Sequence, residues 1–396
     1  MPPQPFPTLD ALTTCVNSGS SRRAGIVAAL IAALLGCMVL AAPVAAAGKA
    51  DEASKSGKAG KKKKKKKPPK PKPIYWGAWI GEQFTGTDAP WDMNAVHQFQ
   101  AAVGGKGLSL LEFSSPFEDC TKPPCRFYKF PTIAMNNVRA YGAIPVFSWG
   151  SESNPRVSEV QPEFQLADII AGTYDAQIAQ FATEARDWGH PFFLRFNWEM
   201  NGNWFPWSEK ANGNLPGQYV PAWRRVHDIF ESVGALNATW VWCPYADTPK
   251  RLKQTRLKPL YPGHGYVDWT CLDGYNWGQN PVNPRPWRSF AEIFDPAYKA
   301  VTKKIAPRKP LMLGEFATSP YGGHKAVWIR KMFEKLPRKY PRVRALIYFD
   351  TVDRGVDWPL ETSPSAARAF AKGIRKGIYV TNRFGEIATS PIPPPR

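Results

Sequence analysis

The chain has 396 residues, 52 Lys and Arg against 32 Asp and Glu, a formal net charge of +20 and 16 tryptophans. Its 43% hydrophobic content supplies a large core and excludes global disorder. The charge first suggests a nucleic-acid or other polyanion partner, but its distribution weakens that reading. Residues 48–73 hold twelve lysines and two acids, net +10, whereas 74–396 carry +9. Aromatics show the reverse bias: every Trp and Tyr lies after residue 73, and Phe6 alone precedes it.

In chain order, Ser21-Arg22-Arg23 precede an apolar stretch, Ala24–Ala47, that ends in small residues. A basic start, an apolar run and a small-residue exit mark an export signal over residues 1–47. The run is also long enough to span a bilayer as an uncleaved anchor, so secreted and envelope-attached forms both stay open. Residues 48–73 read as a disordered linker, with self-repelling lysines and a Pro-Lys end that favours extended chain. Lys61–Lys67 are either a solvated spacer or a contact for an anionic cell-wall polymer or membrane surface.

From residue 74 to about 380, short apolar or aromatic runs alternate with amphipathic stretches. The runs are Ile74–Ile80, Leu108–Phe113, Ala143–Trp149, Pro191–Glu199, Ala238–Tyr245, Thr270–Trp277, Pro310–Phe316 and Arg344–Asp350. Each reads as a strand. Helical patterns fill 173–188, 218–235, 289–305 and 324–336, with Gly189 as a stop. Between the fifth and sixth strands the pattern is an irregular loop. Eight such units predict an α/β fold, a (β/α)₈ TIM barrel, followed by a tail over 381–396. No Gly-rich phosphate loop follows the first strand, which argues against a Rossmann nucleotide site. Cys120 with Cys125, and Cys243 with Cys271, are candidate disulfides. No histidine has metal-ligand spacing, so no metal or cofactor is expected.

A barrel of this kind carries its chemistry where the strands end. The fourth strand ends Arg195-Phe-Asn197-Trp198-Glu199-Met-Asn201-Gly-Asn-Trp204-Phe-Pro-Trp207, and alternation places Arg195, Asn197 and Glu199 on one side. The seventh is apolar until Gly314-Glu315. Two carboxylates from opposed strands suit glycoside hydrolysis, one as acid and the other as nucleophile or base. Sugar rings need aromatic plates and amides. Trp149, Trp198, Trp204, Trp207, Tyr275, Trp277 and Tyr348, with Arg195, Asn197 and Asn201, are the candidate substrate contacts. Asp273 and Asp350 end strands as supporting groups.

The phrases RFNWEMNGNWFPW, YPGHGYVDWTCLDGYNWG, LGEFATS and IYFDTVDRGVDWPLETSPSAARAF, in that order, resemble glycoside hydrolase family 26 over about residues 74–376. The resemblance implies a retaining barrel enzyme with Glu199 as acid/base and Glu315 as nucleophile. It further implies that Tyr275 orients Glu315 and that Trp204 lines the site beside the cleaved bond. Many members have His just before the acid/base, where this chain has Trp198. β-1,4-Mannan is the expected substrate, with β-1,3-1,4-glucan and xylan as alternatives. A non-catalytic polysaccharide- or wall-binding barrel is the rival reading. The expected partner is a β-linked polysaccharide, not nucleic acid, and the chain is expected to act as a monomer.

Overall fold

Short strands that are apolar on both faces bury themselves only when helices cover one face and other strands the second. The computed structural model describes residues 70–246 and 257–396. The export segment and most of the lysine-rich linker therefore lie outside the described residues. Eight parallel strands form the ring: β1 (Tyr75–Ile80), β2 (Leu110–Asp119), β3 (Ile144–Asn154), β4 (Phe192–Phe196), β5 (Ala238–Trp242), β6 (Trp269–Asn276), β7 (Leu311–Thr318) and β8 (Val343–Asp350). Each pairs with its sequence neighbour, and β8 closes onto β1 with Tyr75 opposite Ala345 and Ile80 opposite Asp350. The fold is a (β/α)₈ barrel.

Strand parity sorts the side chains. Tyr75, Leu110, Ile144, Val146, Phe193 and Val241 point into the barrel with Trp269, Cys271 and Met312. The alternate residues join a larger layer between strands and helices. The helix Asp175–Trp188 buries Ile178, Phe181, Ala182 and Ala185 against that layer, and Gly189 ends it in the left-handed region at φ 76°. The helix Phe290–Ala300 starts with a capping box between Ser289 and Glu292 and runs into a wider turn over Val301–Ile305. Among the described residues, β5 and β6 are joined through irregular chain and the single turn Lys258–Leu260. No helix among the described residues is long and apolar enough to cross a membrane. Cys120–Cys125 and Cys243–Cys271 are disulfide-bonded.

Residues 381–396 cross the end of the barrel where the strands begin. Ile392 is 1% exposed and joins the interior cluster. Its N–H donates to Thr239 Oγ1 at 2.9 Å, and Trp269 Nε1 donates to its carbonyl at 2.8 Å. The Tyr75 hydroxyl donates to the Pro393 carbonyl at 3.1 Å. Truncating a buried Ile to Ala typically costs about 2–5 kcal/mol. Ile392→Ala is therefore expected to lower the urea midpoint at unchanged m-value. An unchanged midpoint would mean that this segment contributes nothing to the fold.

Candidate active site

β4 stops at Phe196 because the backbone changes hand. Asn197 and Glu199 have φ of 45° and 52°, a region that costs a non-glycine residue energy. Several bonds hold the turn. The Asn197 N–H donates to the Trp149 carbonyl, and its carbonyl accepts from the Tyr219 hydroxyl at 3.0 Å. The Asn197 side chain accepts from Ser151 N at 2.9 Å and donates to Ser151 Oγ. The Glu199 N–H donates to the Cys243 carbonyl at 2.7 Å. Asn201 bonds both backbone groups of Tyr245, and Trp207 Nε1 donates to the Trp198 carbonyl at 2.7 Å. This curl, rather than strand alternation, brings the Glu199 carboxyl to the barrel mouth.

Glu199 is 6% exposed. Burial, assisted by the nearby charge of Glu315, pushes its pKa up to about 8. Trp204 Nε1 opposes that shift by donating to Glu199 Oε2 at 2.6 Å. A carboxylic acid held neutral at pH 7 can deliver a proton. Removing the indole donor raises the pKa further. The alkaline limb of kcat/KM is therefore expected to move to higher pH in Trp204→Phe. A limb that stays in place would show that this bond does not tune the acid.

Glu315 is presented by β7 and restrained at both oxygens. Arg195 Nη1 donates to Oε1 at 3.0 Å, and the Tyr275 hydroxyl donates to Oε2. Arg195 is fully buried. It also pairs with Asp273 at 2.6 Å and with Glu112, and it donates to Ser148 Oγ at 3.1 Å. One guanidinium thus serves three buried carboxylates, with a fork suited to several acceptors. Gly314 makes room for this packing, because a Cβ there would lie 2.3 Å from Cys271 Sγ and 2.7 Å from Asp273 Oδ1. Oxygens of Glu199, Asp273 and Glu315 all lie within 4.8 Å of one another.

Above them opens a cleft of about 1070 Å³ whose lining includes both glutamates, Trp198, Trp204, Tyr275 and Trp277. The Glycosyl hydrolase family 26 profile matches residues 146–310, a span that contains Glu199. Endoglucanase H of Acetivibrio thermocellus is 31% identical over 306 residues, 76% of this chain and 30% of that protein's length. Mannan endo-1,4-beta-mannosidase of Bacillus subtilis is 26% identical over 74% of this chain and 75% of its own length. The barrel is similar to glycosyl hydrolase family 26. The chain spans under a third of endoglucanase H, so its match there concerns one part of that protein. The solved catalytic domain of a Bacillus sp. JAMB-750 family 26 endo-beta-1,4-mannanase shares the fold, with 16% identity, a TM-score of 0.57, and coverage of 80% and 88% of the two chains.

The cleft takes some of the sequence-predicted contacts and leaves others behind it. Trp149 is fully buried and stacks on Phe181 at 4.2 Å, so it is core and does not face sugar. Tyr348 is likewise buried, and its hydroxyl donates to the Trp358 carbonyl. Trp207 packs behind Trp198 and Phe205. Arg195, Asn197 and Asn201 hold neighbouring groups and do not line the cleft. Asp273 supports Arg195, and Asp350 accepts from Gln83 and from the Leu360 N–H. The sequence reading missed Glu112, Tyr245 and Trp358. Glu112 was legible as a lone acid in an apolar strand with the inward parity of Leu110. Trp358 lies beyond β8 in a loop without regular spacing, and Tyr275 packs against it at 5.2 Å.

Proposed function

We propose that the chain is an exported, retaining endo-β-glycanase acting on β-1,4-linked mannan-type polysaccharide. The observation that carries this reading is the pair Glu199 and Glu315, with oxygens within 4.8 Å across one cleft. Retaining enzymes need carboxyl groups about 5–5.5 Å apart, and inverting enzymes need about 6.5–9.5 Å to admit a water. Glu315 attacks the anomeric carbon while Glu199 protonates the departing oxygen. Glu199, now ionised, then takes a proton from the water that breaks the glycosyl–Glu315 ester. Two displacements return the original configuration.

Arg195 and Tyr275 fix the nucleophile's oxygens before substrate arrives, so little reorganisation is needed at reaction. The indoles of Trp204, Trp277 and Trp358 offer flat apolar surfaces for the C–H faces of sugar rings. The open cleft suits attack within a chain. Export rests on the Ala24–Ala47 segment. A second reading, β-glucan as substrate, is favoured by the likeness to endoglucanase H.

The test is hydrolysis of mannan, β-1,3-1,4-glucan and xylan by the full chain. The anomer of the first product is read by NMR. Faster release from mannan with retained configuration is expected. Inverted product excludes the mechanism, faster attack on glucan selects the second reading, and no hydrolysis of any β-glycan sinks the proposal.

A further inference from the structure

Outside the cleft, the barrel's charge is segregated along the chain. Residues 74–288 hold 18 bases and 20 acids, whereas 289–396 hold 20 bases and 9 acids. The whole positive excess of the body therefore belongs to residues 289–396, from the helix Phe290–Ala300 onward.

Three outer helices, with the turns that end them, carry most of it, and they lie side by side. Phe290–Ala300 meets Lys325–Lys339 through the Tyr298–Tyr340 ring contact at 5.0 Å. Lys325–Lys339 meets Pro364–Ile374 through Phe333–Phe370 at 5.3 Å. Three acids on this face are already engaged or capping: Asp295 with Lys299 and Lys339, Glu334 with Arg330, and Glu292 with Ser289. Lys303, Lys304, Lys331, Lys335, Arg338 and Arg375 are exposed, and no partner among the described residues engages their charges.

Lys303, Lys304, Arg338 and Arg375 stand at helix ends, toward the floor where the strands begin and away from the cleft. The chain also enters the barrel there, since Arg344 Nε donates to the Pro73 carbonyl at 2.8 Å. The segment that precedes Pro73 in sequence is the one with twelve lysines.

A net positive face of this extent draws a polyanion by releasing its counterions. The exposed large hydrophobic side chains among the described residues all lie elsewhere, at positions such as Ile133, Leu236 and Val352. A bilayer-seating face would carry apolar or aromatic side chains that insert, and a single-stranded nucleic-acid face would carry stacking platforms. We propose that this face binds a linear acidic polysaccharide, one bearing carboxylates, and holds the enzyme on a mixed matrix with its cleft turned to the neutral glycan. The choice of a polysaccharide among polyanions rests on the glycanase reading. Binding is measured without turnover, so loss of one reading does not decide the other.

The experiment is affinity electrophoresis of the full chain through gels containing polygalacturonate, over a salt series. The six bases named above are changed to Gln, as in Lys303→Gln. A second variant carries Gln at Lys61–Lys67, and a control carries it at Lys122, Lys129 and Lys210. The face variant is expected to bind at least about tenfold more weakly at low salt with a shallower salt slope, and the control to bind as the parent does. If the six-fold variant unfolds by circular dichroism, two three-fold halves are each expected to show part of the loss. Binding unchanged in the face variant, or lost only in the Lys61–Lys67 variant, overturns the proposal. Tighter binding to phosphatidylglycerol vesicles or duplex DNA than to polygalacturonate overturns it equally.

Discussion

Glu315→Ala is expected to lower kcat/KM on β-glycan by more than about 10⁴-fold, beyond the roughly 10²–10⁴-fold typical of a lost general acid–base. The nucleophile has no substitute, because the other acids near it are committed. Asp273 is bound to Arg195, and Glu199 accepts from Trp204 Nε1. Glu199→Gln should behave differently. With a natural substrate it loses the proton donor and falls within the general-acid range. With an aryl glycoside whose phenol leaves unaided, the first displacement stays fast and the glycosyl–Glu315 ester accumulates, visible as added mass. The parent's pH dependence follows from the same group. Glu199 must be protonated to act as the acid, its pKa stands at about 8, and activity falls as pH rises through that value. Equal losses in both variants on the aryl substrate would remove the assignment of separate roles.

The second large effect is on stability. Arg195→Met is expected to destabilise the fold by about 3–5 kcal/mol, the usual cost of breaking a buried ion pair from one side. The guanidinium is fully buried among Glu112, Asp273 and Glu315. Without it, three carboxyl groups share a low-dielectric interior and must take up protons or repel. Urea unfolding reads the loss. Arg195→Lys separates charge from geometry: an ammonium restores part of the stability but cannot reach three acceptors as the planar fork does. Activity should therefore remain low in that variant. A Met variant as stable as the parent would show that the cluster pays its own desolvation without the arginine.

Much of this was legible in the sequence, and the misses have physical causes. The eight strands follow from short β-rich runs between amphipathic stretches, and the ring positions each of them. Glu315 stood out because Leu311, Met312 and Leu313 before it are apolar. Trp149 and Tyr348 were misplaced because nearness to a strand end was weighed above parity. Ser148 and Ile347 face inward, so their neighbours must face the helices. Glu199 illustrates the opposite error. Alternation from Arg195 put it on the correct side for the wrong reason, since the backbone turns left-handed at Asn197 and Glu199. No side-chain pattern announces that turn, because the bonds that hold it come from Ser151, Tyr219 and Cys243, far along the chain.

The segment beneath the barrel bears on how the molecule assembles. The Tyr75 hydroxyl reaches the Pro393 carbonyl across 318 residues of sequence, and β1 pairs with β8 across 270, as Tyr75 with Ala345. Contacts so distant along the chain form late, because loop closure must precede them. During synthesis the first strands therefore wait with Tyr75 and Leu110 uncovered until the segment around Ile392 has left the ribosome. A chain stalled before Ile392 would expose an apolar floor, the kind of surface that chaperones hold and that aggregates when they do not.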